Sequence, residues 1–97
     1  MSMPFSSSKS IIRQSKDVAH QEVLGETVIV VPRKRTIHLL NAVGTAIWRA
    51  AKNGTTVRAL VDDMVKRYRV RRAAAEKDCL QFIKELKRKG IIVVEKS

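Results

Sequence analysis

The apolar positions along the chain change period at one point. Up to Leu40, β-branched and aliphatic residues come in short runs; from Asn41 onward they recur at steps of three and four. The early runs are "VAHQEVL" (18–24), "TVIVVP" (27–32) and "TIHLL" (36–40). Short runs rich in Val, Ile and Thr, bounded by Gly, Pro or charge, read as strands. Gly25-Glu26 invites a hairpin turn between the first two, and "RKR" (33–35) is a charged turn before the third. Strands this close in sequence pair as an antiparallel meander. The near-continuous run 27–32 calls for burial on both faces, or for one face on the core and the other on a neighbour.

Three helices follow. Asn41 is a good N-cap, because its side chain can accept from the free amides of a first helical turn, so the third strand hands its chain directly to a capped helix. Helix one runs about 41–52 and stops at Asn53-Gly54. Thr55 or Thr56 caps helix two, whose apolar face is Val57, Leu60, Val61, Met64, Val65 and Tyr68. "RVRR" leads into helix three, about 73–89, with Ala75, Cys79, Phe82 and Leu86 as its core stripe. Gly90 is the natural residue to end that helix, with Ile91 next and able to touch Leu86. "IIVVE" (91–95) leaves room for a last short strand. The pattern predicts an α+β chain: a three-stranded antiparallel β-meander, then three helices. The Ser- and Lys-rich residues 1–16 read as a flexible basic arm, and 17–97 as one domain.

Charge adds the strongest compositional signal, 20 Lys+Arg against 9 Asp+Glu, a formal net charge of +11. Such a surplus speaks to partners and solubility: nucleic acid, an acidic peptide or an anionic membrane. The chain begins without the apolar run of a secretory signal, and no segment approaches the roughly 18 apolar residues of a membrane span. A cytoplasmic, soluble protein is the expectation. The single cysteine, Cys79, excludes an intrachain disulfide and falls on the apolar stripe of helix three, where a buried inert thiol is expected.

Catalytic chemistry finds no foothold. His20 and His38 sit on strands without Cys, His or Glu partners at metal-ligand spacing. Asp62 and Asp63 are followed four residues later by Lys66 and Arg67, so i,i+4 ion pairs account for them. The four glycines are scattered and do not form a phosphate loop. No enzyme, metal or cofactor is expected.

One resemblance covers nearly the whole folded chain, residues 17–95. A meander ending in "IHLLNAVGTAIW", followed by "GTTVRALVDDMVKRYRV" and "DCLQFIKELKRKGII", resembles the PqqD family of RiPP recognition elements. The residues that carry it are Leu40-Asn41, Gly44, Ile47, Gly54-Thr55-Thr56, Tyr68, Asp78, Phe82, Leu86 and Gly90-Ile91-Ile92. The resemblance implies a winged-helix-like fold used as a non-catalytic peptide clamp. In that family the leader segment of a ribosomally made precursor adds as a strand to the third strand of the meander, its side chains in the cleft beside the third helix. The domain then presents the precursor to a modifying enzyme, often a radical-SAM enzyme, as in PQQ biosynthesis. Carried onto this chain, the site is the strand Arg35, Thr36, Ile37, His38 and Leu39 with Leu80, Ile83, Lys84 and Lys87 of helix three. Strand residues act mainly through their backbone, Leu80 and Ile83 fill pockets, and the lysines pair with carboxylates of an acidic leader. The arm and the basic runs "KRYRVRR" and "KELKRKG" stand outside the family motif, and nothing here singles out PQQ itself.

Two rival readings stay open at this level. The same topology lies close to the winged helix of DNA-binding proteins, and +11 suits phosphates. Against it, the connector from Tyr68 to about Ala73 exceeds a three- or four-residue helix-turn-helix turn, and Glu76 and Asp78 would repel phosphate. An open sheet edge would serve equally for docking on another protein or for pairing with a second copy.

Overall fold

The computed structural model describes residues 10–96. Strand β1 is Ser10–Gln14, β2 Ala19–Val23, β3 Glu26–Val31 and β4 Thr36–Leu40, with a 3-10 turn at Pro32–Lys34. Helix α1 is Ala42–Ala50, continued by a 3-10 turn at Ala51–Asn53; α2 is Val57–Tyr68, α3 Arg72–Arg88, and strand β5 is Ile92–Lys96. The architecture is α+β, with β2-β3-β4 as an antiparallel meander and β1 paired antiparallel with β5 in a second, two-stranded sheet.

The expected meander forms, with its first turn displaced by one residue. Val23 pairs with Glu26, so Leu24 and Gly25 are the two turn residues, at φ 53 and φ 83. Both central positions of such a hairpin need positive φ, and Glu26 is drawn into the ladder. Thr27, Ile29 and Val31 point inward and are buried, whereas Val28 and Val30 lie half-buried on the outer face. The inward face packs on α1, where the Thr27 and Thr45 hydroxyls, both buried, hydrogen-bond at 3.0 Å.

The junction after β4 is built as the sequence suggests. Leu40 turns into the core, Asn41 stays extended, and its Oδ1 accepts from the Gly44 amide at 2.9 Å. A cap of this kind is worth about 1 kcal/mol. Thr56 caps α2 by accepting from the Ala59 amide. At the end of α3, the Ile91 amide donates to Leu86 O and the Gly90 amide to Lys87 O, with Gly90 at φ 79. This is the doubly bonded terminus that a left-handed glycine permits.

Three expectations are corrected. Ser10–Gln14, assigned to the arm, is a strand: Ser10 and Ile12 are buried, and Ile12 exchanges backbone bonds with Thr55 while β1 pairs with β5. The rest of that arm, residues 1–9, lies outside the described residues. The α2–α3 connector is only Arg69, Val70 and Arg71, with Arg69 left-handed at φ 51. It is short enough for a helix-turn-helix turn, so its length does not weigh against DNA binding. Finally, the core row of α3 is Ala75, Cys79, Ile83 and Leu86, with Ile83 fully buried and Phe82 only half-buried beside it. Each residue advances about 100° around a helix; the step of four from Cys79 to Ile83 follows the buried seam, and Phe82 falls on its flank.

Candidate functional site

The two edges of the meander differ in character. β2, at one edge, is exposed along its whole length and carries His20, Gln21 and Glu22. His20 lies edge-on to Trp48, with ring centroids 5.2 Å apart, and Glu22 pairs with Arg49. β4, at the other edge, reads Thr-Ile-His-Leu-Leu. Edge strands are ordinarily blunted by charge, proline or a bulge. β4 has none within it, and Ile37 and Leu39 are 72% and 66% exposed.

β4 is positioned from both ends. Leu40 and the Asn41 cap hold its C-terminal end to α1. Before it, Arg35 is left-handed at φ 53, and Lys34 Nζ donates to Arg88 O at 2.5 Å, fastening the turn to the last turn of α3. A basic side chain on a terminal helical carbonyl also complements the helix dipole. Lys34 and Arg88 were not among the sequence candidates. The signal was faint, because a turn lysine normally reads as solvated surface.

The candidate residues separate by the alternation of the strand. Thr36 and His38 turn inward and are half-buried, with His38 Nε2 3.0 Å from Thr36 Oγ1. Ile37 and Leu39 turn outward beside their cross-strand partners Val30 and Val28. Arg35 is exposed at the strand's start. On α3, Leu80 is half-buried against the core, and Lys84 and Lys87 are exposed. Ile83 does not join them, being part of the core with no exposed surface.

At about 100° per residue, Leu80, Lys84 and Lys87 share one flank of α3, while Phe82, Asp78 and Glu85 take the opposite one. Lys87 borders a groove of about 450 Å³ with Val31, Lys34, Gly90 and Val93, so the Leu80–Lys87 flank turns toward the end of the β3–β4 hairpin. Lys84 borders a second, shallow groove of about 650 Å³ along α3, lined also by Lys77, Leu80, Gln81 and Arg88. Lysine and arginine outnumber the one carboxylate in each groove, Glu85 here and the Arg33-paired Asp17 in the other, so both grooves favour a partner carrying negative charge.

His38 reports on this setting. Burial, followed by the positive charges of Lys89 and Lys34, holds its imidazole below the ordinary value of 6.5. The unfolded chain therefore takes up the proton more readily than the folded one. His38 adds stability that is complete above the ordinary value and is lost as pH falls through the depressed one. The urea midpoint of His38→Gln is expected to fall less than that of the parent between about pH 7.5 and pH 5.

Other chemistry-bearing residues lie elsewhere. Cys79 is buried, and burial first, with the Glu76 charge second, pushes its thiol up to about 11, which suits a core residue better than a nucleophile. Asp63 pairs with Arg67 at 2.9 Å as expected, whereas Asp62 reaches across to Arg72 at the start of α3. Among the described residues no cluster of three or more His, Cys, Asp or Glu side chains could hold a metal ion, and no helix is long and apolar enough to cross a membrane.

Comparison with known proteins agrees with this geometry. The structure of TbiB1 in complex with the TbiA(beta) leader peptide superposes with a TM-score of 0.77 at 28% identity, covering 82% of this chain and 93% of that one. Lasso peptide synthetase B1, complexed with the leader peptide, superposes at 0.75 and 20% identity over 84% of this chain and 96% of that one, a likeness of fold. No match was found among curated proteins. The family model for coenzyme PQQ synthesis protein D matches residues 26–92, from the first residue of β3 to the first of β5. With most of its length under that model, the chain belongs to the PqqD family.

Proposed function

We propose that this protein is a non-catalytic, cytoplasmic recognition element that binds the leader segment of a ribosomally made precursor peptide and presents it to a modifying enzyme, such as a radical-SAM protein. The observation that carries the reading is the unblunted free edge of β4, fastened through Lys34 to a helix whose adjacent flank is basic. An extended peptide satisfies the free N–H and C=O groups of such an edge by strand addition, while neighbouring side chains select it. Leu80 would supply an apolar contact, and Lys84 and Lys87 would attract carboxylates. TbiB1, solved with a leader peptide bound, supports the assignment through family and fold. DNA binding has no such support. The exposed Glu76 and Asp78 lie in the helix that would have to approach phosphate, although the short connector alone would permit it.

The test is an NMR titration of the labelled protein with leader segments from precursor genes neighbouring its own, and in parallel with a DNA duplex, at low and physiological salt. Saturable shifts over Thr36–Leu40 and Leu80–Lys87 with peptide, persisting at physiological salt, are expected. Salt-sensitive shifts with DNA alone, along the basic face of α3, would replace this reading with a DNA-binding one.

A further inference from the structure

The outer face of the meander, turned away from α1, is apolar and becomes more exposed toward the β4 edge. Val28 and Val30 are half-buried between neighbouring strands, but their partners Leu39 and Ile37 are 66% and 72% exposed. Each has a cross-strand neighbour on one side and, β4 being an edge among the described residues, no described strand on the other. The remaining edge, β2, places Ala19, Gln21 and Val23 on the same face, where Val23, 50% exposed, is the one large apolar side chain and has no apolar partner across the strand.

From this we infer that Ile37 and Leu39 are specificity-determining residues that read the bound peptide from the side of the sheet opposite α3, selecting a segment with period-two alternation of apolar and acidic residues. The inference rests on strand addition at β4. Once a strand lies on that edge, its alternate side chains are divided by the pleat whether it runs parallel or antiparallel. One set stands beside Ile37 and Leu39, where an apolar residue completes the cross-strand pairs those two lack. The other set stands beside Thr36 and His38, where the positive charges of Lys89 and Lys34 reach the imidazole and Lys87 shares a groove with Lys34, so carboxylates are favoured. A shift by one residue puts every side chain on the wrong face, so the pattern also sets the register. A second copy pairing through β4 would instead bring two chains of net charge +11 together.

Two labelled nonapeptides test this by fluorescence anisotropy, one alternating Glu with Val and the other alternating Glu with Ser. The parent protein is expected to bind the Val peptide about tenfold more tightly, as two or three apolar cross-strand pairs would give. In Ile37→Thr/Leu39→Thr, which puts strand-favouring, β-branched threonine at both exposed positions, the preference is expected to shrink to about twofold or less. Leu80→Ser should leave it intact. A preference that survives the double substitution and disappears in Leu80→Ser means that the valines turn inward and overturns the inference, as does equal affinity of the two peptides for the parent. Absence of amide shifts over Thr36–Leu40 when the natural leader is saturating would instead overturn strand addition itself.

Discussion

Replacing Ile83 with aspartate is expected to unfold the domain, not to switch off a binding cleft in an intact one. Ile83 has no exposed surface and sits in one cluster with Cys79, Leu86, Ile91 and Ile92. Truncating a buried isoleucine to alanine costs about 2–5 kcal/mol through lost burial and the cavity left behind. A carboxylate placed there must also be desolvated without a partner, or take up a proton, at a further cost of several kcal/mol. Against a typical total stability of about 5–15 kcal/mol, most or all of the folded population is lost. Loss of the far-ultraviolet helical signal and of a cooperative urea transition would register it. A folded Ile83→Asp protein that fails only to bind peptide would return this residue to the cleft. Ile83→Val, by comparison, should cost about 1 kcal/mol and leave binding unchanged.

Lys84→Glu/Lys87→Glu is expected to do the reverse, leaving stability nearly unchanged and sharply weakening capture of an acidic peptide. Both lysines are exposed, neither takes part in an ion pair among the described residues, and each borders one of the grooves beside the Leu80 flank. Reversing a surface charge turns a weak attraction into a repulsion of similar size, roughly 0.5–2 kcal/mol per site. Two reversals correspond to about 5-fold to several-hundred-fold in affinity at low salt, and to less at physiological ionic strength, where the screening length is about 8 Å. Titration calorimetry at two salt concentrations, with urea unfolding as the stability control, separates the two effects. An affinity that does not change would mean that carboxylate pairing on this flank plays no part in binding.

The site's composition follows from a division of labour between the two sides of β4. Its inner residues, Thr36 and His38, are half-buried, and that burial, with the charges of Lys89 and Lys34, holds the His38 imidazole below its ordinary value. Its outer residues are plain hydrocarbon exposed to water. An edge strand with such a surface carries an aggregation hazard. The high net charge counters self-association without blocking the edge to an acidic peptide.

Much of this was legible in the residues because it is local. Asn41, Thr56 and Gly90 act on amides and carbonyls within one turn of themselves, so the β4–α1 junction, the start of α2 and the end of α3 could be read from identity and spacing. Alternation along β3 and β4 likewise depends only on the pleat. What the sequence by itself determined is thus the order of elements, their caps and the existence of a short, uncharged strand before α1. Long-range contacts decided the rest. β1 became a strand because β5, some eighty residues later, and Thr55 supply its partners, and neither is visible from "SIIRQ" alone. Ile83 and Phe82 are both apolar and adjacent on α3, so periodicity allowed either in the core; the packing of α3 on α2 and β5 settled it by burying one completely. That Ile37 and Leu39 face water while His38 faces in was likewise open in the sequence. A period of two says that neighbours point opposite ways, and only the side on which α1 packs says which way is in.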